Sequence, residues 1–399
     1  MPEPLQIKNS KHVLFLCKWF PYYNDPQLGI FAYKHAVAAS NFCSVSTLYV
    51  RGSSKFSTLY SFDIKEDKVL TVNVYYKKSN FKALNFFRYI KAGLAGYQII
   101  AKKNGRPTLL NFYILNRPAL FGILISFFLK IPFIITEQWS GYGTGKFEKK
   151  NLPVKLFASF LIQKAKAIIV VSAALKSAML KLNLKNQYFI IPNVIENVTI
   201  QNKEKDANKS LSLFMVADMV DEIKNISGVL KALHLLKKDG LEFTFNIIGG
   251  GPDLTKLQAL AKEMNLMDKV CFYGRQTNEV VYKEMKEADV VIVNSNIETF
   301  SVICVEAMVN GKPVIATRCG GPEEIVTAKT GILIEKGNHE ALKDAILQIK
   351  TRLHEFDPVI MNELALKKYS YGAVGSQLKE VFDFALLSGN IRLETAATK

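Results

Sequence analysis

The sequence predicts an α/β protein with two consecutive domains, each built on a mostly parallel sheet. Short apolar runs rich in β-branched residues are bounded by glycine, proline and polar residues, which is typical of strands covered on both faces. Helical segments separate these runs, as parallel strands require. A polar segment, residues 196–210, divides two such series, and 399 residues are enough for two domains.

The first series predicts a domain over residues 1–195. It opens with a buried strand at His12–Cys17, a loop with two prolines, and a helix at about 30–40. The pattern pauses at Pro192 and Asn193. Further strands are predicted at 45–50, 109–111, 133–136, 167–171 and 189–191.

The second series predicts a domain over residues 196–370. Ligands of parallel sheets bind beyond the carboxyl ends of the strands, so we expect the site in a cleft between the two domains. The strands are predicted at 212–217, 243–248, 270–273, 290–293 and 314–316.

The net charge of +17 is unevenly distributed: residues 1–195 carry +20 and the remainder −3. Such a field attracts an anionic membrane surface, an anionic acceptor or a nucleic acid. We expect a membrane surface or a lipid-linked acceptor and no nucleic acid, with an ordinary solvated surface as the alternative. Aromatic residues lie among the basic ones at Tyr75, Tyr76, Phe81, Phe86, Phe87 and Tyr89.

Cysteine and histidine patterns indicate neither a disulfide framework nor a metal site. The five cysteines form no CxxC pair, and the five histidines lack metal-ligand spacing. We expect Cys17, Cys271 and Cys304 to pack as small apolar residues, with no metal and no cofactor.

The predicted location is the cytoplasm, with peripheral attachment to the inner face of the membrane as a further expectation. Residues 1–4 lack the apolar segment of a signal peptide, and the run at 119–129 is too short to span a bilayer.

Residues 298–316 carry the most informative pattern. Glu298 and Glu306 flank the start of a short helix that ends at Asn310 and Gly311, before a buried strand. A helix N-terminus binds phosphate through free backbone N–H groups, and a carboxylate accepts hydrogen bonds from hydroxyls. The pattern therefore predicts a site for a sugar nucleotide.

These residues resemble glycosyltransferase family 4, whose retaining enzymes carry an E-x7-E motif. The match includes Glu306-Ala307-Met308, then Gly311 to Val314, then Gly320 to Glu324. The resemblance implies the GT-B fold, two Rossmann-like domains facing each other across a cleft, with a C-terminal helix at about 371–399 packing back on the first domain. It also implies a retaining, metal-independent hexosyltransferase. Such an enzyme moves a sugar from a nucleoside-diphosphate sugar to a glycan or lipid-linked acceptor in cell-surface polysaccharide or glycolipid synthesis.

The resemblance assigns roles around the motif. Glu306 would bind the ribose hydroxyls, and Glu298 would contact the donor sugar near the reacting carbon. The backbone N–H groups of Phe300, Ser301 and Val302 would meet the diphosphate.

Other donor-side roles rest on the loops that follow strands. Lys224 would clamp the diphosphate, but Asp218 stands where the family usually has the second cation, and Arg275 is a candidate replacement. Gly249 and Gly250 would line the nucleotide pocket, or else simply form a tight turn. The main chain of Arg275 and Gln276 would contact the base.

Three first-domain residues complete the predicted site. Gly29 would approach the donor phosphate or the acceptor at a helix start. Glu137 and Gln138 follow a strand on the acceptor side, where related enzymes often carry histidine. Glutamine is not a general base, so the group that activates the acceptor stays open.

Two other functions are compatible with the sequence. A sugar-nucleotide epimerase of the same fold would produce an altered sugar nucleotide without an acceptor. A non-catalytic subunit would bind the nucleotide sugar tightly and transfer nothing, and the departures at Asp218 and Gln138 favour it.

Overall fold

The computed structural model describes residues 11–115, 117–200 and 210–394, with side chains described as far as Leu387. The chain divides into two compact units. The first contains the described residues up to Val194 together with the helix that begins at Tyr371, and the second is Ile195–Ser370. Three predictions, on residues 1–4, on 201–209 of the polar segment and on 395–399 of the last helix, lie outside the described residues.

The first unit contains an eight-stranded sheet in the order β3-β4-β2-β1-β5-β6-β7-β8. All neighbouring pairs are parallel except β3 with β4. The central strands are buried on both faces, as expected for strands covered by helices on each side. The strands are β1 (His12–Cys17), β2 (Ser44–Ser53), β3 (Tyr60–Glu66), β4 (Leu70–Lys77), β5 (Leu109–Tyr113), β6 (Phe133–Glu137), β7 (Ile168–Val170) and β8 (Tyr188–Ile190).

Helices cover both faces of this sheet. The first helix packs against β2 and the C-terminal helix, and these two helices enclose a core with β1 and β5. The helices after β4, β5, β6 and β7 lie on the opposite face, because each belongs to a right-handed crossover in the same direction. The helices are α1 (Ile30–Ser40), α2 (Lys82–Asn104), α3 (Arg117–Leu129), α4 (Leu152–Lys164), α5 (Ala173–Lys181) and α13 (Tyr371–Glu394).

The second unit has a six-stranded, all-parallel sheet in the order β11-β10-β9-β12-β13-β14. This is the strand order of the Rossmann fold, with its reversal between β9 and β12. The strands are β9 (Leu211–Val216), β10 (Phe243–Ile248), β11 (Val270–Phe272), β12 (Val290–Val293), β13 (Val314–Thr317) and β14 (Gly331–Ile334). The helices are α6 (Asp221–Lys224), α7 (Ile226–Lys238), α8 (Leu254–Glu263), α9 (Asn278–Glu287), α10 (Val302–Val309), α11 (His339–Thr351) and α12 (Pro358–Tyr369).

The predicted fold class is confirmed: both units are α/β with Rossmann-like sheets. The sequence interpretation missed β3, β4 and β14. It was also wrong about some surface residues, because Tyr75, Tyr76 and Tyr89 are buried in the core, and Cys271 is exposed rather than packed. No helix within the described part of the chain is both long and apolar enough to cross a membrane.

Candidate active site

The candidate site of the second unit lies where the strand order reverses. Strands β10 and β12 flank β9 on opposite sides, so the segments after β9 and β12 diverge at the carboxyl edge of the sheet. Such a switch point leaves a crevice in which ligands of parallel sheets bind. The β9 segment leads into α6, and the β12 segment leads to Glu298.

An ion pair between Lys224 and Glu298 joins these two segments. The Lys224 Nζ lies 2.5 Å from Glu298 Oε1, and the Ser295 hydroxyl donates to the same oxygen at 2.9 Å. Both charged side chains are partly buried, 23% and 16% exposed. Since both described contacts reach Oε1, the lone pairs of Oε2 can accept a ligand hydroxyl.

Backbone hydrogen bonds hold the two segments together. The Asn296 N–H donates to the Ile223 carbonyl at 2.8 Å, and the buried Asn294 amide donates to the Asn225 carbonyl at 2.9 Å. The Thr317 hydroxyl donates to the Ser295 carbonyl from β13. The ion pair is therefore held by fixed main chain, as preorganised binding requires.

The motif that contains Glu298 turns directly into α10. The Gly321 N–H donates to the Glu298 carbonyl at 2.9 Å, and the Glu298 N–H donates to the Cys319 carbonyl at 3.2 Å. Ser301 precedes α10 with a left-handed φ of 71°, and its hydroxyl donates to Cys304 Sγ instead of capping the helix. The first backbone N–H groups of α10 are therefore not capped by Ser301 and can meet an anion.

Phe300 anchors the start of α10 in the core. Its ring is buried and lies edge-on to Tyr369, with ring centroids 5.8 Å apart. The structure thus places Phe300, Ser301 and Val302 together at the helix N-terminus, where the sequence predicted diphosphate contacts.

Two thiols beside Glu298 stay uncharged at neutral pH. Burial raises the pKa of Cys304 to about 12 and that of Cys319 to about 11, and the nearby Glu298 carboxylate raises both further. The two thiols therefore add no charge beside Lys224 and Glu298.

Glu306 lies one turn from the end of α10 and is half-buried. The Tyr282 hydroxyl of α9 donates to Glu306 Oε1 at 3.1 Å. The phenol orients the carboxylate, which sequence reasoning did not anticipate, since nothing in the spacing links α9 to α10.

The glycine loop after β10 is fixed by close main-chain contacts. Gly249 has a φ of 145°, and a Cβ there would lie 1.8 Å from the Ala217 carbonyl oxygen, so only glycine fits. The Gly249 N–H donates to the Gly274 carbonyl at 2.9 Å, which joins this loop to the one after β11. A Cβ on Gly250 would come within 2.9 Å of the Arg275 Cγ.

Arg275 and Asp218 face each other at the exposed rim. The guanidinium Nη2 lies 4.0 Å from the Asp218 carboxylate, and both side chains are largely exposed. The Gln276 amide donates to the Tyr273 carbonyl at 2.7 Å. Arg275 therefore places a cation next to Asp218, the position at which the family usually has one.

Two candidate residues of the first unit, Glu137 and Gln138, make separate sets of hydrogen bonds. Glu137 ends β6 and is fully buried. Its Oε1 accepts from the Leu115 N–H at 2.7 Å and the Tyr142 hydroxyl at 3.0 Å. Burial raises the pKa of Glu137 to about 7, although these hydrogen bonds and Lys18 oppose the shift.

Gln138 is held by a chain of hydrogen bonds. Its amide nitrogen donates to the Tyr113 hydroxyl at 2.6 Å and to Asn193 Oδ1 at 2.7 Å. The Tyr113 hydroxyl lies 2.9 Å from His35 Nδ1, and His35 Nε2 lies 2.9 Å from the Pro192 carbonyl.

These contacts fix the tautomer of His35. A carbonyl only accepts, so Nε2 carries the proton and Nδ1 accepts from Tyr113. Burial lowers the pKa of His35 to about 4, so the ring is neutral at pH 7. A histidine thus lies two hydrogen bonds from Gln138, in the core and outside reach of a ligand.

Lys18 directly follows β1, at the carboxyl end of that strand. Its ammonium lies 4.5 Å from the Trp19 ring centroid and 5.5 Å from that of Trp139. Burial lowers the pKa of Lys18, while the Glu137 carboxylate opposes this shift. Sequence reasoning missed Lys18, Tyr113 and Tyr142, because only folding brings them to Glu137 and Gln138.

Gly29 has a structural reason to be glycine. It precedes α1 with a φ of 65°, and a Cβ there would lie 2.4 Å from the Trp19 carbonyl group. Its predicted ligand contact stays a prediction. Within the described residues, no group of three or more His, Cys, Asp or Glu could hold a metal ion.

Comparison with known proteins identifies the type of fold and the matched segment. Residues 196–353, which contain Lys224, Glu298 and Glu306, match the family described as "Glycosyl transferases group 1". An uncharacterised glycosyltransferase of Methanocaldococcus jannaschii is 32% identical over 229 residues, 57% of this chain and 61% of the relative. The lipopolysaccharide core biosynthesis glycosyltransferase LpsD of Rhizobium meliloti is 27% identical over 168 residues, 40% of this chain and 46% of the relative. The chain thus spans less than two thirds of either relative.

Solved structures show the same architecture over nearly the whole chain. Sucrose-phosphate synthase from Thermosynechococcus elongatus matches with a TM-score of 0.73 and 16% identity, covering 95% of this chain and all of that one. HepE from Anabaena, solved in complex with UDP, matches with a TM-score of 0.69 and 15% identity, covering 94% and 99%. The fold is therefore GT-B, and the sequence matches support the GT-B glycosyltransferase superfamily.

Proposed function

We propose that the protein is a retaining glycosyltransferase that uses a nucleoside-diphosphate sugar. The acceptor would be a glycan or lipid-linked sugar in cell-surface polysaccharide or glycolipid synthesis. The match of residues 196–353 to group 1 glycosyl transferases supports the reaction class. The UDP bound by HepE and the lipopolysaccharide role of LpsD support the donor and acceptor classes.

One observation carries the proposal: the Lys224–Glu298 ion pair spans the switch point, beside the start of α10. Lys224 has three N–H donors, and its contact with Glu298 uses one. The other two can bind phosphate oxygens, together with the first N–H groups of α10.

The same arrangement suits the chemistry of sugar transfer. As the glycosidic bond breaks, negative charge grows on the departing diphosphate, and Lys224 and the helix N-terminus would stabilise it. Positive charge grows on the sugar ring, and the Glu298 carboxylate would stabilise and orient it. Metal independence and the role of Glu306 toward the ribose remain part of the proposal.

A panel of UDP-, GDP- and ADP-sugars tests the proposal by release of nucleoside diphosphate. We expect one donor to be cleaved slowly without an acceptor, and Lys224→Met to reduce release by about 10²-fold or more. NMR of a transferred product should show the donor's anomeric configuration retained.

The matched control is Lys269→Met. Lys269 pairs with Glu242 at the same 2.5 Å distance, but at the amino edge of the same sheet, before β10 and β11. Equal release by both variants would contradict the proposal. Conversion of the donor to another sugar nucleotide would identify an epimerase, and tight nucleotide binding without release would identify a binding subunit.

A further inference from the structure

Helix α3 is apolar around its whole circumference, yet one side of it faces solvent. Between Arg117 and Lys130 its only polar side chain is Ser126. Phe121 and Ile125 are buried against the sheet, while Phe127 and Phe128 are among the most exposed aromatic residues of the chain. An all-apolar helix is normally buried on every side, so the exposed side of α3 indicates a binding surface.

The neighbouring helices extend this apolar surface. Phe81 and Phe87 project at the start of α2, and Leu152 and Leu156 lie in the first turns of α4. These residues, like the two on α3, are between 60% and 75% exposed. The α2–α4 face is defined here by six residues: Phe81, Phe87, Phe127, Phe128, Leu152 and Leu156.

The topology places these helices on one side of the first unit. The crossovers after β4, β5 and β6 all move in the same direction along the sheet, and right-handed crossovers in one direction lie on one face. Helix α2 packs beside α3, and α3 covers β1 and β5. The outer sides of α2, α3 and α4 therefore form one layer.

The charge of this region is almost entirely positive. Between Asp67 and Glu196 the chain carries twenty Lys and Arg residues and two carboxylates, Glu137 and Glu148. Glu137 is buried, and helices α2, α3, α4 and α5 contain no acidic residue. The exposed Lys82, Lys130 and Lys149 lie within three positions of these apolar residues in the sequence.

We propose that the α2–α4 face docks on the surface of an anionic lipid bilayer. The apolar side chains would enter the headgroup boundary while the lysines contact lipid phosphates, the usual arrangement for a surface-lying helix. This inference rests on α2 to α4 alone and does not depend on the donor site.

Charge and chemistry disfavour other occupants. A second copy would bring an identical cationic face against this one, and like charges oppose such a dimer. Single-stranded nucleic acid binds through aromatic stacking, but Leu152 and Leu156 cannot stack on bases.

Flotation with vesicles tests the inference. The full-length protein should float with vesicles of equal parts phosphatidylcholine and phosphatidylglycerol, and not with phosphatidylcholine alone. Binding should weaken as salt rises, because the screening length falls to about 10 Å at 0.1 M. We expect Phe127→Ser/Phe128→Ser, and separately Lys82→Glu/Lys130→Glu/Lys149→Glu, to lower vesicle affinity more than about tenfold.

Matched controls lie in the second unit. Val359→Ser/Ile360→Ser removes exposed apolar side chains, and Lys256→Glu/Lys262→Glu reverses exposed charges; both should float like the unmodified protein. Nucleoside diphosphate release without vesicles should stay unchanged in every variant, which separates this inference from the proposed function. The inference would be overturned if the unmodified protein did not float at low salt. It would also be overturned if sedimentation velocity showed a dimer of the unmodified protein and a monomer of Phe127→Ser/Phe128→Ser.

Discussion

Glu298 follows β12 and Glu137 ends β6, so both lie at the carboxyl edge of a Rossmann-like sheet, but their surroundings are opposite. Glu298 is partly exposed and paired with Lys224. Glu137 is fully buried and accepts hydrogen bonds from Leu115 and Tyr142, with its pKa raised to about 7. A carboxylate that keeps an accessible oxygen can bind a ligand, whereas one enclosed by its own loops mainly fixes those loops.

The comparison therefore separates an accessible carboxylate from one that is enclosed by its own loops. The Glu137 contacts tie the segment after β5 to the segment after β6, and so set the position of Gln138 and Trp139. Glu137 was a candidate for acceptor chemistry because it follows a predicted strand and lies next to Gln138. Its burial and hydrogen bonds show that Glu137 holds these two segments together, while its predicted part in acceptor chemistry stays a prediction.

The sharpest test of the comparison is Glu298→Gln. We expect kcat to fall by about 10²–10³-fold, because the lost charge would act mainly in the transition state. The affinity for the donor should change much less. Steady-state kinetics with the active donor measure both quantities.

Glu242→Gln is the control for this prediction. Glu242 makes an ion pair of the same length with Lys269, far along the strands from the switch point. Its kcat should match that of the unmodified protein. An unchanged kcat with a raised KM in Glu298→Gln would mean that this carboxylate binds the ground state only.

The buried carboxylate predicts a pH effect on stability. Between about pH 4.5 and about pH 7 the folded state keeps a proton on Glu137 that the unfolded state has lost. The free energy of unfolding therefore falls as pH rises through this window, and Glu137→Gln removes that loss. The difference in the free energy of unfolding between Glu137→Gln and the unmodified protein should change by on the order of 3 kcal/mol across this window. The change favours the variant at the higher pH.

Denaturant unfolding followed by tryptophan fluorescence measures this shift. The only tryptophans, Trp19 and Trp139, both lie in the first unit, so the signal reports that unit. His35, whose pKa is lowered to about 4, gives an opposite trend that is common to both proteins and cancels in the difference. Parallel stability curves across the window would show that Glu137 is already ionised at low pH.

The central strands could be predicted because strands buried on both faces have continuous apolar sequences. β1 and β12 have the predicted bounds. β3 was missed because it is an antiparallel edge strand with alternating polar residues. β4 was missed because Tyr75 and Tyr76 directly precede Lys77 and Lys78, so the tyrosines were interpreted as part of a basic surface. The structure shows instead that both faces of the strand are buried up to Tyr76.

Site residues could be predicted where they lie in one continuous segment of the sequence. They could not be predicted where the fold brings distant segments together. Motif spacing brought Glu298 and Ser301 to one helix start. Ser295 and Tyr282 could be recognised only from the fold, since their roles depend on hydrogen bonds to Glu298 and Glu306. For Glu137 a signal existed: it ends the apolar strand β6, where a carboxylate is usually enclosed.

Glu306 gives the smallest expected effect and extends the comparison to a half-buried carboxylate. Glu306→Ala should weaken binding of the nucleoside diphosphate by about 1.5–3 kcal/mol, the usual value of a charge-assisted hydrogen bond. Tyr282→Phe keeps the carboxylate and removes the phenol hydroxyl that contacts it at 3.1 Å, so it should cost less than about 1.5 kcal/mol. Calorimetry with the nucleotide released from the active donor ranks the two. Equal affinity in Glu306→Ala and the unmodified protein, with the fold intact by circular dichroism, would place Glu306 outside the nucleotide site.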